Sequence, residues 1–280
     1  MSARLRGIAR ETETIVEAGH YRTPQGREVS IERALTAALS GTRLYGPEPV
    51  HVAALDGDRT PRIEVTAESS LQAAARLTGE QPGKVAVLNY ASARNPGGGY
   101  LNGAQAQEEA LCRGSALYAT LLRAPEYYAR HRAERSAFYT DRVIHSPGVP
   151  VFRDDRGRLL DTPYTAGFLT SPAPNAGVIR RTAPESAHRI PAALASRAER
   201  VLEVAAVRGY RRLVLGAWGC GVFQNDPAEV AGAFGALLTG DGRFAGHFEQ
   251  IVFGILERSA DSPTRAAFDR AFAAEGRPSG

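Results

Sequence analysis

Residues 85–99 read VAVLNYASARNPGGG, and this stretch decides the fold class. It starts with a continuous apolar run, residues 85–88, and ends with three consecutive glycines. Short continuous apolar runs are typical of strands that are covered on both faces of a sheet. Consecutive glycines allow a loop backbone to adopt positive φ and to approach a ligand closely. The stretch therefore predicts a buried strand followed by a loop that can contact a ligand.

The same pattern continues along the chain and predicts an α/β fold. Further apolar runs occupy residues 142–145, 166–170, 213–215 and 251–256, and residues 107–122 and 190–207 have helical periodicity. Strands that alternate with helices predict a layered α/β domain with a largely parallel or mixed sheet. The region around Arg153 to Leu160 predicts a hairpin or long loops.

Residues 1–80 predict a mostly helical N-terminal extension that packs on a compact unit of residues 81–280. Within the extension we expect helices at residues 2–18, 32–39 and 67–77, and strands at residues 28–31 and 62–66.

Composition limits the class of protein. The chain has 280 residues, 43% of them hydrophobic, and a net charge of +4, which are typical of a soluble globular protein. Of its 34 basic residues only Lys84 is lysine, and the arginines are scattered. Scattered basic residues argue against a specific duplex nucleic-acid binder, whereas the positive charge suits an anionic ligand.

The two cysteines, Cys112 and Cys220, are far apart and lack CxxC spacing, so neither a disulfide framework nor a zinc knuckle is indicated. The N-terminal residues lack an apolar signal region, and no segment has 18 uninterrupted apolar residues. We therefore expect reduced thiols, a cytoplasmic location and no membrane partner.

A second glycine-rich loop, residues 216–225, reads GAWGCGVFQN. Asp226 suits the N-cap of a following helix, Pro227 its first position and Glu229 its third. A glycine loop at a helix N-terminus offers free amides and a positive dipole end to a diphosphate. The alternative is a tight turn whose glycines serve packing alone. Phe223 suits stacking on a ligand or packing in the core.

Gln107-Glu108-Glu109 begins the helix after the triple glycine. Acidic residues in a first helical turn also complement the helix dipole without any function. Because ligands of open α/β sheets bind beyond the carboxyl ends of the strands, we expect both glycine loops and these carboxylates to share one site. The six histidines show no paired metal spacing, and neither glycine loop has the Rossmann or Walker spacing.

Taken together, these motifs resemble a known family. Gly97-Gly98-Gly99, then seven residues, then Gln107-Glu108-Glu109 is similar to the signature of the poly(ADP-ribose) glycohydrolases. Other segments resemble the bacterial branch of that family: Asn89-Tyr90-Ala91, Asn95-Pro96, Leu111-Cys112-Arg113 and residues 216–223. The resemblance covers most of the chain.

The resemblance implies a macrodomain-like three-layer α/β/α fold with a mixed central sheet and a helical N-terminal extension. It implies exo-acting hydrolysis of ribose–ribose bonds, with Glu109 as the catalytic acid/base and Glu108 bonded to ribose hydroxyls. The remaining residues that it implies as contacts of ADP-ribose are Asn89, Gly97, Gly98, Gly99, Gln107, Gly219, Cys220, Gly221, Val222 and Phe223.

The resemblance implies that the reaction needs neither a metal nor a cofactor. The expected partners are poly(ADP-ribose), ADP-ribose and poly(ADP-ribosyl)ated proteins, and we expect a monomer. Three alternatives stay open. A macrodomain reader binds ADP-ribose without cleaving it, and a mono-ADP-ribosyl hydrolase removes single units. An unrelated α/β nucleotide enzyme is the third, although it leaves the pairing of triple glycine and Gln-Glu-Glu unexplained.

Overall fold

A computed structural model describes residues 2–53, 60–256 and 262–273. A hairpin of two short strands, β1 (His20–Arg22) and β2 (Glu28–Ser30), lies apart from the main sheet. The main sheet has seven strands: β3 (Arg43–Tyr45), β4 (Arg62–Thr66), β5 (Val85–Tyr90), β6 (Val143–Arg153), β7 (Leu159–Ser171), β8 (Arg212–Leu215) and β9 (Gln250–Gly254).

The main sheet is mixed, as the sequence predicts. Its strand order is β3-β6-β7-β5-β8-β9-β4. From β7 to β4 neighbouring strands are parallel, whereas β6 is antiparallel to both β7 and β3. The carboxyl ends of β5, β8 and β9 therefore meet at one edge of the sheet, which we call the carboxyl edge. The opposite edge, where β5 begins, is the amino edge.

Helices cover both faces of this sheet. Their bounds are α1 (Ala3–Ala18), α2 (Glu32–Gly41), α3 (Ser70–Glu80), α4 (Gln107–Gly114), α5 (Leu117–Leu121), α6 (Pro125–Glu134), α7 (Ala176–Thr182), α8 (Ile190–Val207), α9 (Pro227–Leu238) and α10 (Pro263–Phe272). Within the described residues, no helix is long and apolar enough to cross a membrane.

Strand β5 shows why the fold has three layers. Val85 and Val87 belong to a buried cluster formed with α1 to α6, while Ala86 and Leu88 belong to a second buried cluster formed with α7 to α10. Because side chains alternate along a strand, one nearly continuous apolar run serves both cores. The three-layer α/β/α arrangement is confirmed.

The N-terminal 80 residues contribute directly to the main sheet. Strand β3 pairs with β6 at one side of the sheet, and β4 pairs in parallel with β9 at the other. Both outermost strands thus come from the predicted extension. Strand β3 was not predicted, because three half-exposed or exposed residues carry no clear period.

One predicted helix is wrong in its length. Residues 107–122 form two helices, because Ser115 adopts extended backbone and forms a bridge with Val151 of β6. The amide of Ala116 donates to the carbonyl of Pro150 at 3.1 Å. A contact with a distant strand thus ends α4, and local periodicity cannot reveal such a contact.

Candidate active site

The two glycine-rich loops follow neighbouring parallel strands. Residues 91–99 follow β5 and residues 216–225 follow β8, and β5 pairs with β8 from Val85 to Val87. Gly216 lies so close to the hydroxyl of Tyr90 that any side chain there would clash with it. Both loops therefore leave the sheet at the carboxyl edge, as the sequence predicts.

Gln107 anchors the start of α4 to the end of β5. Its Oε1 accepts a hydrogen bond from the amide of Tyr90 at 2.9 Å. Its Nε2 donates to the carbonyl of Leu88 at 2.7 Å and to the hydroxyl of Ser70 at 3.0 Å. Because the protein itself occupies both ends of this side-chain amide, Gln107 fixes the position of the two glutamates that follow it.

Glu108 is buried beside Asn89. It is 2% exposed, and its two carboxyl oxygens accept from Asn89 Nδ2 at 3.2 Å and from the amide of Ser92 at 2.7 Å. Burial is the largest influence on this carboxyl, and it raises the pKa of Glu108 to about 8 although hydrogen bonds from Ser92, Asn89 and Gly97 act in the opposite direction. Glu108 therefore carries a proton at neutral pH.

Glu109 lies against the triple-glycine loop. Its Oε1 accepts from the amide of Gly99 at 2.8 Å, and its Oε2 accepts from the amide of Ala106 at 3.0 Å, as in a capping box. A Cβ at Gly98 would lie 2.5 Å from Glu109 Oε1. The loop therefore needs glycine at Gly98 for the carboxylate to take this position.

Asn89 connects Glu108 to the interior of the sheet. Its Nδ2 also donates to the hydroxyl of Thr170 at 3.1 Å, and the residue is fully buried. Its Oδ1 has no hydrogen-bond partner among the described residues. A buried amide oxygen without a partner is rare in proteins. Because this atom is itself buried, a ligand hydroxyl would reach it only after neighbouring residues moved. Ser92 and Thr170 were not predicted, because their roles depend on a backbone amide and on a distant strand.

The second loop is held by its own contacts. Trp218 is buried and its Nε1 donates to the carbonyl of Ser171 at 3.1 Å. Gly219 has φ of +72°, and a Cβ there would lie 2.5 Å from Asn225 Nδ2. Asp226 caps α9 by accepting from the amide of Ala228 at 2.7 Å, as the sequence predicts.

The remaining predicted residues of this loop lie at its tip. Gly221 and Val222 are exposed, with Val222 at 81%, while Cys220 and Phe223 are half-buried. The ring of Phe223 lies 6.0 Å from that of Tyr139. Glu108 and Glu109 belong to α4, whereas this loop follows β8, so the two groups come from different elements at the carboxyl edge.

A cavity of about 500 Å³ opens at the same edge of the sheet. The residues that line it include Ser69, Ser70, Tyr90, Gln107, Ala217 and Ile255. Ile255 and Leu256 follow β9, which ends at Gly254 rather than at Leu256 as predicted. The sequence did not indicate this cavity, because its walls come from seven separate segments of the chain.

Comparisons with known proteins agree with this geometry. Residues 9–154 match the family model described as the microbial-type PARG catalytic domain. A comparison with curated protein sequences found no significant match.

Solved structures give the same result over almost the whole chain. The poly(ADP-ribose) glycohydrolase of Thermomonospora curvata is 50% identical, with a TM-score of 0.93 over 97% of this chain and 100% of that one. Its complex with the inhibitor ADP-HPD has a TM-score of 0.88, 50% identity and the same coverage.

The poly(ADP-ribose) glycohydrolase of Deinococcus radiodurans, solved in complex with ADP-ribose, is 45% identical with a TM-score of 0.78 over 85% of this chain and 97% of that one. The family model, the sequence identity and the fold all indicate the same family. The chain also places the triple glycine and Gln107-Glu108-Glu109 together at the carboxyl edge. The chain therefore belongs to the microbial-type poly(ADP-ribose) glycohydrolases, glycoside hydrolases that act on O-glycosidic bonds.

Proposed function

We propose that this protein is an exo-acting poly(ADP-ribose) glycohydrolase, which cleaves the terminal ribose–ribose bond of the polymer and releases ADP-ribose. One observation carries the proposal. Glu108 and Glu109 lie side by side between the end of β5 and the triple-glycine loop, with Glu109 bonded to the Gly99 amide at 2.8 Å. Two carboxyl groups beside a flexible-backbone loop suit the hydrolysis of a glycosidic bond next to a diphosphate.

The ligand would lie along the carboxyl edge. Residues 97–99 and Gly219 to Phe223 would hold the diphosphate with their backbone amides, helped by the N-terminus of α9. Asn89 and Glu108 would bind the hydroxyls of the distal ribose, and Phe223 would pack against the ligand. The cavity of about 500 Å³ beyond Tyr90 has the volume for the nucleoside end.

The chemistry would follow from the two glutamates. Breaking the bond passes through an oxocarbenium-like state, in which an acid protonates the leaving ribose oxygen while the anomeric C–O bond breaks. Glu109 would give this proton, and its carboxylate would then take a proton from the water that attacks the anomeric carbon. Glu108, protonated at neutral pH, has one hydrogen to donate to a ribose hydroxyl oxygen.

The expected partners follow from this substrate. The polymer would be presented on poly(ADP-ribosyl)ated proteins, and we propose that the enzyme acts as a cytoplasmic monomer. No cluster of three His, Cys, Asp or Glu side chains arranged to hold a metal ion occurs in the described part of the chain.

The test measures release of ADP-ribose from poly(ADP-ribose) without added metal. We expect release by the wild type and by Glu126→Gln, which alters an exposed glutamate in the first turn of α6. We expect at least a thousandfold loss in Glu109→Gln and Glu109→Ala, with ADP-ribose still bound by both.

The outcomes separate the alternatives. Binding without release by the wild type would favour a macrodomain reader. Release from mono-ADP-ribosylated proteins but not from the polymer would favour a mono-ADP-ribosyl hydrolase. Loss of ADP-ribose binding in a folded Glu109→Gln protein would contradict the role of Glu109 as the acid/base.

A further inference from the structure

A second large cavity lies at the amino edge of the sheet, opposite the candidate active site. It has a volume of about 670 Å³ and is bounded by α2, the start of β5, the β6–β7 hairpin and the end of α8. Lys84 precedes β5, whereas Asn89 lies near its carboxyl end. The cavity is therefore separated from the glutamates by the length of a strand.

Two positive side chains line this cavity without a negative partner. They are Lys84, the only lysine of the chain, and Arg208, which follows α8. Neither forms an ion pair or a side-chain hydrogen bond with a described residue, and no Asp or Glu is among the lining residues. The guanidinium of Arg208 stacks over the ring of Tyr45 at 5.3 Å, and its Nε is buried without a hydrogen-bond partner. The stacking orders the cation, which reduces the entropy that a ligand must remove.

A buried histidine lies on the same wall. His145 is 3% exposed, and its Nε2 lies 2.8 Å from the hydroxyl of Tyr210. Its Nδ1 is buried and has no hydrogen-bond partner among the described residues. Burial is the largest cause that lowers the pKa of His145, and together with the smaller effects of the charges of Arg208 and Lys84 it brings this pKa to about 4. Both cations therefore act on the same point of the cavity wall.

The helix ends near the cavity do not cancel this charge. Helix α2 ends at Gly41, and the partial negative charge of this helix C-terminus would attract a cation. Arg43 satisfies that end, since it donates to the carbonyls of Ser40 at 2.7 Å and Thr42 at 2.8 Å. The C-terminus of α8 carries a partial negative charge of about half an elementary charge, which is smaller than the two positive charges of Lys84 and Arg208.

We propose that this amino-edge cavity is a second binding site, which takes a phosphate-bearing anion between Lys84 and Arg208. A phosphomonoester carries a charge close to −2 at neutral pH, which matches the two unpartnered cations. Lysine binds phosphate as a point charge and arginine as a planar fork, so together they hold a tetrahedral anion from two sides. The apolar lining leaves space for a small organic group attached to that phosphate.

The single lysine makes this site directly observable. Reductive methylation with ¹³C-formaldehyde keeps the charge of Lys84 and labels only this side chain and the terminal amine. We would titrate the labelled protein with inorganic phosphate, inorganic pyrophosphate and ribose 5-phosphate, holding ionic strength constant with sodium chloride. Comparing the first and last ligands tells whether the site takes free phosphate or an organic phosphomonoester.

We expect a saturable shift of the Lys84 methyl resonance while the terminal amine resonance stays fixed. Arg208→Gln should weaken binding at least tenfold, and Ala37→Phe should do the same because its ring takes up part of the cavity without changing the charge. The control Arg10→Gln removes an exposed charge on α1 and should leave the affinity within twofold.

Two results would overturn the proposal. One is a Lys84 shift that never saturates and equals the shift caused by chloride, because that is charge screening alone. The other is equal affinity in the wild type, Arg208→Gln and Ala37→Phe. Since Ala37 is an exposed helical residue, Ala37→Phe keeps the comparison valid even if Arg208→Gln disturbs the stacking on Tyr45.

Discussion

At the residue scale, Gly98 sets the distance between the loop and the carboxylate of Glu109, which we propose as the acid/base. It has φ of +57°, and a Cβ would lie 2.5 Å from Glu109 Oε1. In Gly98→Ala the carboxylate has to move away from the Gly99 amide. We expect turnover on poly(ADP-ribose) to fall at least about tenfold, which corresponds to about 1.4 kcal/mol in the barrier. Initial rates of ADP-ribose release would measure this.

Gly26→Ala is the matched control for this variant. Gly26 has φ of +84°, yet a Cβ there would meet nothing within 4 Å. Both substitutions therefore cost about 1 kcal/mol of backbone strain, but only one displaces Glu109. Equal activity losses in Gly98→Ala and Gly26→Ala would show that strain alone, and not the contact with Glu109, explains the effect.

Glu108 should make the protein less stable as the pH rises. Its pKa is about 8 in the folded protein and about 4.5 when unfolded, so the folded state holds the proton over this interval. Stability is then fully present below pH 4.5 and is lost toward pH 8, by up to about 5 kcal/mol at about 1.4 kcal/mol per pKa unit. Glu108→Gln should remove this loss in urea unfolding between pH 6.5 and 8. An unchanged slope in the variant would contradict the assignment.

These residues also show what a sequence reveals about a site. Gln107, Glu108 and Glu109 were predicted because they form a motif at fixed spacing from the triple glycine. Ser92 and Thr170 were not predicted, since one contributes a backbone amide and the other comes from β7, 81 residues away from Asn89. Local patterns identify reactive side chains, but their hydrogen-bond partners depend on the folded backbone.

At the element scale, the N-cap of α9 is a local contribution to stability. Asp226 accepts from the amide of Ala228 at 2.7 Å. Asp226→Ala should lower the free energy of unfolding by about 1 kcal/mol, while Asp226→Ser should keep most of it. Asp241→Ala, which changes an exposed aspartate outside any helix, should change it by less than about 0.5 kcal/mol. Urea unfolding would measure all three variants. Equal losses of unfolding free energy in Asp226→Ala and Asp241→Ala would show that the N-cap hydrogen bond is not the cause.

The elements differ in how far the sequence predicts them. The start of α9 and the bounds of α8 were predicted, because the cap residues and an apolar stripe are local signals. Only parts of β6 and β7 were predicted, namely strands at residues 142–145 and 166–170 and a hairpin or long loops around residues 153–160, whereas the two strands extend over 11 and 13 residues. Strand pairing at β3 and the break after α4 depend on contacts with β6, so no local window contains them.

At the scale of the whole molecule, the sheet separates two chemically different edges. The carboxyl edge gathers acidic side chains beside glycine amides, and the amino edge gathers Lys84 and Arg208. The buried groups of the molecule also oppose one another in their response to pH. Burial raises the pKa of Glu108, whereas it lowers the pKa of both His131 and His145 to about 4. Stability should therefore depend on pH in two directions.

We expect a stability maximum near pH 6.5. Above it, Glu108 lowers stability as the pH rises. Below it, the unfolded chain protonates both histidines near pH 6.5 while the folded chain keeps them neutral to about pH 4, so stability falls as the pH falls. In this range the two histidines bind two more protons in the unfolded chain than in the folded chain, whereas Glu108 binds one more in the folded chain. The net difference of one proton gives a slope of about 1.4 kcal/mol per pH unit between pH 6.5 and 5.

Unfolding in urea at half-unit steps from pH 5 to 8 would measure how stability changes on both sides of this maximum. Glu108→Gln should remove the fall in stability above pH 6.5 and should steepen the dependence below it to about 2.7 kcal/mol per pH unit, because the opposing glutamate is gone. His131→Gln should cancel the net slope between pH 6.5 and 5, because one histidine and Glu108 then balance, and should leave the fall above pH 7 unchanged. His131 is the informative histidine because it lies outside both cavities, with Nδ1 2.9 Å from the carbonyl of Tyr127 and Nε2 accepting from the amide of Thr140 at 3.2 Å. A second proton on His131 would break the bond from the Thr140 amide. A wild-type curve that stays flat from pH 6.5 to 5, and that His131→Gln does not change, would mean that His131 is protonated in the folded protein.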